Sequence, residues 1–108
     1  MNYRVRILAR AMRDYEGFYD WIAERSPQGA ERWAASFEAA KTRLAMNPLA
    51  APIASESEDV GVEIRHVLFR TRAGRTYRAL FIIEGDEVQI LRIRGSGQPP
   101  VTPDDING

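Results

Sequence analysis

The sequence predicts an α+β fold of order β-α-α-β-β-β, a helical hairpin packed on a small antiparallel sheet. Three observations lead to it. Apolar residues recur at helical spacing only between about residues 9 and 46. Extended runs rich in β-branched and aromatic residues lie before and after that region, so the helices are segregated from the strands. The last two runs, Tyr77 to Glu84 and Val88 to Arg94, are joined by Gly85-Asp86, which is a hairpin signal.

Each element has its own reason. Tyr3 to Leu8 alternates, with Tyr3, Val5 and Ile7 on one side and Arg4, Arg6 and Leu8 on the other, as a half-buried strand does. From about Ala9 to Arg25 the stripe Met12, Tyr15, Tyr19 and Ile22, widened by Phe18, makes an amphipathic helix. Ser26-Pro27 supplies an N-cap and a proline at the first helical position of a second helix. That helix carries Ala30, Trp33, Phe37, Ala40 and Leu44 on one stripe, and Asn47-Pro48 ends it. The break is short enough to fold the two helices into an antiparallel hairpin. Leu49 to Gly61, with Pro52, several small residues and three acids, reads as a mobile surface loop. Val62 to Arg70 is a strand, and Thr71 to Thr76 is a polar tip leading into the hairpin. One domain is expected over residues 1–97, with residues 98–108 a loose C-terminal tail holding three prolines.

Composition limits the chemistry. A chain that is 44% hydrophobic and 28% charged is an ordinary globular one. The absence of Cys removes disulfides, thiol nucleophiles and thiolate-held metals, and a single His removes a His-rich metal site. No metal or other cofactor is therefore expected. No apolar run approaches the roughly 20 residues of a membrane span, and the charged start MNYRVRILAR does not read as a secretory signal. The expected location is the cytoplasm, without membrane contact.

The net charge is zero, but Val62 to Gln98 holds seven Arg against four acids. Arg78 opens one hairpin strand and Arg92 and Arg94 close the other, so antiparallel pairing gathers them at one end of the sheet. Arg65 lies on the preceding strand, away from the other three. Arg65, Arg78, Arg92 and Arg94 are the candidate nucleic-acid or target-binding residues, since guanidinium forks suit phosphate and carboxylate. The competing reading is a solvated face with salt bridges to Glu63, Glu84 or Glu87. His66 alternates with Arg65 and points to the opposite face. Gly95-Ser96-Gly97 could cradle a phosphate or simply end a strand. The apolar residues of the strands exceed what one sheet face requires, so part of that surface is expected to meet a partner or line a groove.

The element order, IRHVLF followed by TYRALFIIEGDEVQILRIRG, resembles the RelE/ParE superfamily of bacterial type II toxins, the plasmid-stabilisation type, from Tyr3 to about Gly97. The resemblance implies a growth-inhibiting toxin neutralised by a cognate antitoxin that wraps it, as a toxin–antitoxin hetero-oligomer or with a toxin homodimer. It implies one of two activities. A ParE-like toxin binds DNA gyrase and has no catalysis of its own. A RelE-like toxin is a metal-independent endoribonuclease that cleaves mRNA on the ribosome. Arg65, Arg78 and Arg92 would then be its catalytic residues, binding phosphate and stabilising developing charge. RelE-like nucleases carry a further basic residue and then a Tyr after the last strand; here Gln98 stands near the first position and no Tyr follows Tyr77. The departure favours the ParE-like side. A third reading is a non-toxic relative that retains only antitoxin binding.

Overall fold

Ser26 alone separates the two long helices, and its extended backbone decides how they lie. The computed structural model describes residues 2–107. α1 spans Ala9–Arg25 and α2 spans Pro27–Met46. The Ser26 hydroxyl accepts from the Gly29 amide at 3.0 Å while its own amide donates to the Ile22 carbonyl, so one residue caps both helices. The hairpin then lays its apolar stripes on one face of a sheet.

The sheet contains β1 (Arg4–Ile7), β2 (Arg65–Phe69), β3 (Tyr77–Glu84) and β4 (Glu87–Gly95), in spatial order β1-β4-β3-β2. The last three form the expected antiparallel meander. β1 pairs in parallel with β4, Val5 opposite Val88 and Ile7 opposite Ile90. The sheet is thus mixed rather than wholly antiparallel, which the long intervening chain from α1 to β3 permits. Under the helices Tyr15, Phe18, Trp33, Phe37, Phe69 and Tyr77 form a connected aromatic cluster, with neighbouring centroids such as Tyr15–Trp33 and Phe18–Tyr77 5.0 Å apart. Offset and edge-on pairs of this kind add to the area they bury.

A single extra residue in β4 reshapes the other face. Leu80 faces Arg92 but Phe81 faces Ile90, so Leu91 is a β-bulge. Ile90 and Ile93 both reach the helix-covered core, and Leu91 joins Leu80 and Ile64 in a second cluster on the far side of the sheet. That second cluster absorbs the surplus apolar surface of the strands.

Two segments cover it, and both differ from expectation. The stretch read as a mobile loop, Leu49 to Gly61, begins within a 3₁₀ turn, Pro48–Ala50, and contains α3, Glu56–Val60. It is tied to β2 by a bridge between Ile53 and Arg65 and by Ser57 Oγ, which bonds both the amide and the carbonyl of Ile64 at 2.9 Å. The stretch read as a loose tail packs instead. Val101 is 2% exposed within the second cluster, and α4, Pro103–Asn107, follows it with Ile106 against the same residues. Proline content hid a few well-placed apolar side chains, and burying them outweighs the ordering cost of a short segment.

Candidate functional site

The β3–β4 register puts Arg78 directly opposite Arg94 and Leu80 opposite Arg92. Ala79, Phe81 and Ile93 point to the helix side, so the three arginines share the opposite face. The expected convergence of Arg78, Arg92 and Arg94 holds. Arg65 is elsewhere: it faces Phe81, and its guanidinium donates to the carbonyls of Ala51 at 2.6 Å and Leu49 at 3.3 Å. It staples the segment after α2 to the sheet.

None of the three convergent guanidiniums is free. Arg78 makes a two-pronged ion pair with Glu56 of α3, one arm at 3.0 Å. Glu56 is 2% exposed and also accepts from the Val101 amide at 3.1 Å. The Arg78 hydrogen bonds hold its carboxyl down at about 2, so it stays ionised inside the fold. Arg92 clasps Asp14 of α1 through Nε at 2.8 Å and Nη2 at 3.0 Å, and donates to the Asp105 carbonyl at 2.8 Å. Asp14 further accepts from the Ile93 amide at 2.9 Å, a β4 donor beyond the last β1 pairing. Arg94 pairs with the Asp105 carboxylate at 3.0 Å. The Asp105 carboxyl is lowered chiefly by hydrogen bonds from Thr102, with help from Arg94 and Arg92. Arg10 reaches the same tail through the carbonyls of Asp104 and Asp105.

His66 lies on this face as well, because it sits opposite Leu80, and its Nδ1 is 3.2 Å from Arg78 Nη1. Burial, and then the Arg78 charge, push its pKa down from the ordinary value, so the ring is neutral and Nδ1 accepts from the guanidinium. Sequence reasoning placed His66 on the face opposite Arg65 without joining it to Arg78. It also missed Glu56, Asp14 and Asp105 as partners, naming Glu63, Glu84 and Glu87 instead. Of those, Glu63 lies 3.5 Å from Arg65, while Glu87 serves Arg4 and Arg6. Gln98, near the position where a nuclease of the superfamily has a basic residue, caps its own turn by accepting from the Gly95 amide at 2.6 Å.

Residues 5–100 match the family described as the ParE toxin of type II toxin–antitoxin systems, parDE. The chain belongs to that family. No curated protein matches it significantly. As a member of the ParE toxin family it is a type II toxin, and a cognate antitoxin is the partner such a toxin implies. Among the described residues no helix is long and apolar enough to cross a membrane.

Apart from Met12 and Trp21 on α1, the exposed large apolar side chains of the toxin lie on β2 or on segments beside it. Met46, Leu49, Ile53 and Leu68 are 53 to 65% exposed. β2 is an edge strand whose outer side, among the described residues, is met by the Ile53 bridge, the Pro52 carbonyl on the His66 amide, and Arg43 on the Leu68 carbonyl at 2.7 Å. A groove of about 380 Å³ between α2 and this edge is lined by Arg43, Ala51, Pro52, His66 and Leu68. An open edge with apolar flanks is a template for a partner segment.

Proposed function

We propose that this toxin arrests growth in the cytoplasm by binding DNA gyrase, without catalysis of its own, and that its antitoxin neutralises it by covering the β2 edge. One observation carries the choice of binding over RNA cleavage: Glu56, Asp14 and Asp105 occupy the three guanidiniums that a phosphate would need. An RNA backbone would have to displace a buried carboxylate from Arg78, which costs several kcal/mol before any chemistry begins. The same arginines serve a binding role by fixing α1, α3 and α4 as one rigid surface around the sheet end. The exposed apolar fringe of Met46, Leu49, Ile53 and Leu68 supports the antitoxin site.

Supercoiling assays with purified gyrase test the reading. The toxin is expected to abolish supercoiling and trap cleaved DNA. Unaltered supercoiling, or ribosomal A-site cuts in toeprinting that vanish in Arg78→Ala, would overturn it. Unchanged growth on induction without the antitoxin would identify a relative that keeps only partner binding.

A further inference from the structure

A cleft of about 470 Å³ opens between α1 and the far end of the β3–β4 hairpin, beyond the arginine face already described. This volume falls within the range of small-ligand sites, roughly 300–1,000 Å³. Its lining combines flat rings with unmatched positive charge. Phe18, Trp21 and Tyr77 supply the rings. Trp21 is 53% exposed, and the Arg25 guanidinium stacks 3.7 Å from its centroid, which fixes the indole beside the cleft. Gly95 lets the aromatic floor close: a Cβ there would stand 3.3 Å from the Tyr77 ring and 3.6 Å from that of Phe18.

The cations are Arg13 on α1 and Arg75 on the β2–β3 tip. Arg10, Arg25, Arg78, Arg92 and Arg94 all have partners in the fold; among the described residues Arg13 and Arg75 have none. Asp14 also borders the cleft, but both its oxygens are taken by Arg92 and the Ile93 amide. Ser96, with its hydroxyl and a turn whose next residue Gly97 has φ +87°, adds polar donors at the rim. Aromatic surface selects a flat ring, and two forked cations selects an anion bearing several oxygens.

We infer that this cleft binds a nucleotide, its base against Trp21 and Tyr77 and its phosphate between Arg13 and Arg75. The ligand is either a free nucleotide or the phosphorylated end of a single strand. The inference does not depend on the gyrase reading, because supercoiling and nucleotide binding are separate measurements.

Trp33 is 2% exposed, so Trp21 is the tryptophan that a cleft ligand would quench. The full chain is titrated with a nucleoside triphosphate, the matching nucleoside, tripolyphosphate, and 5′-phosphorylated DNA and RNA oligonucleotides, following tryptophan fluorescence. Saturable quenching by the nucleotide or an oligonucleotide is expected, with the nucleoside and tripolyphosphate each at least tenfold weaker. Tighter binding of an oligonucleotide assigns the site to a strand end; equal or weaker binding assigns it to free nucleotide. Arg13→Ala and Arg75→Ala, both exposed and therefore compatible with folding, should each weaken binding about tenfold. Trp21→Phe removes the signal but keeps a ring, and calorimetry should still detect binding. Absence of saturable quenching by every phosphorylated probe overturns the inference. So does undiminished binding in the double arginine variant with unchanged circular dichroism, or quenching by an acidic aromatic peptide alone.

Discussion

Replacing Glu56 with Gln tests whether the buried ion pair under α3 holds the far face of the sheet together. Glu56 is almost wholly enclosed, takes both arms of Arg78 and caps the Val101 amide. Its carboxyl titrates at about 2 instead of 4.5. Those roughly 2.5 pH units correspond to about 3 kcal/mol of folding stability at neutral pH, at 1.36 kcal/mol per unit. The sign follows from the depressed native pKa. The stabilisation is complete above the unfolded value near 4.5 and is lost as pH falls through about 2. At pH 3 the same two pKa values leave about 1 kcal/mol. Urea unfolding followed by circular dichroism should therefore show Glu56→Gln less stable than the parent by about 3 kcal/mol at pH 7, with the gap closing to about 1 kcal/mol at pH 3. A deficit below 1 kcal/mol at pH 7, or one that does not shrink on acidification, would refute the pairing as a source of stability.

Four further outcomes are expected. Arg92→Ala strands Asp14 beside the Ile93 amide and should cost about 3 kcal/mol by urea unfolding, whereas exposed Arg72→Ala should change stability by less than about 0.5 kcal/mol. The imidazole of His66 should titrate below its usual range in an NMR pH series. Because the unfolded chain takes up that proton first, its contribution to stability is present above about 6.5 and declines below it; in Glu56→Gln the midpoint should fall further, since Glu56 favours the charged ring. Val101→Ala opens a cavity under α4 and should lower stability by about 1–2 kcal/mol in thermal unfolding. Leu68→Asp and Ile53→Asp, both on the exposed fringe, should each weaken capture by the antitoxin by about 2 kcal/mol in titration calorimetry while leaving the melting temperature unchanged.

The helices and strands were legible because their signals are local. The stripe from Ala30 to Leu44 is a helical period that only packing on one side explains, and all five of its residues are buried. Gly85, at φ +61°, is the turn residue that β3 and β4 need. Legibility failed where a contact joins different elements rather than neighbours on one element. Three acids crowd residues 56–59, and nothing local distinguishes Glu56, which is buried, from Glu58 and Asp59 beside it. Asp14 lies 78 residues from Arg92 and Asp105 lies 11 from Arg94. Each such pairing depends on where whole elements come to rest. The tail misled for a related reason: its prolines and acids read as disorder, while one valine and one isoleucine anchor it.

Periodicity, turn chemistry and the YR-to-ILRIRG pattern by themselves determined the class, the order of the two long helices and four strands, and the superfamily. They also determined that three arginines collect at one sheet end, because hairpin geometry fixes strand ends relative to each other. Only the tertiary structure decided which way those arginines face and what they hold. The bulge at Leu91 turns Arg92 and Arg94 away from the helices, where strict alternation would have set them in line with Val88 and Ile90. The folding-back of α3 and the tail then brings a carboxylate to each. A one-residue change of register and two long-range chain returns leave no periodic trace, so no local pattern could have announced them.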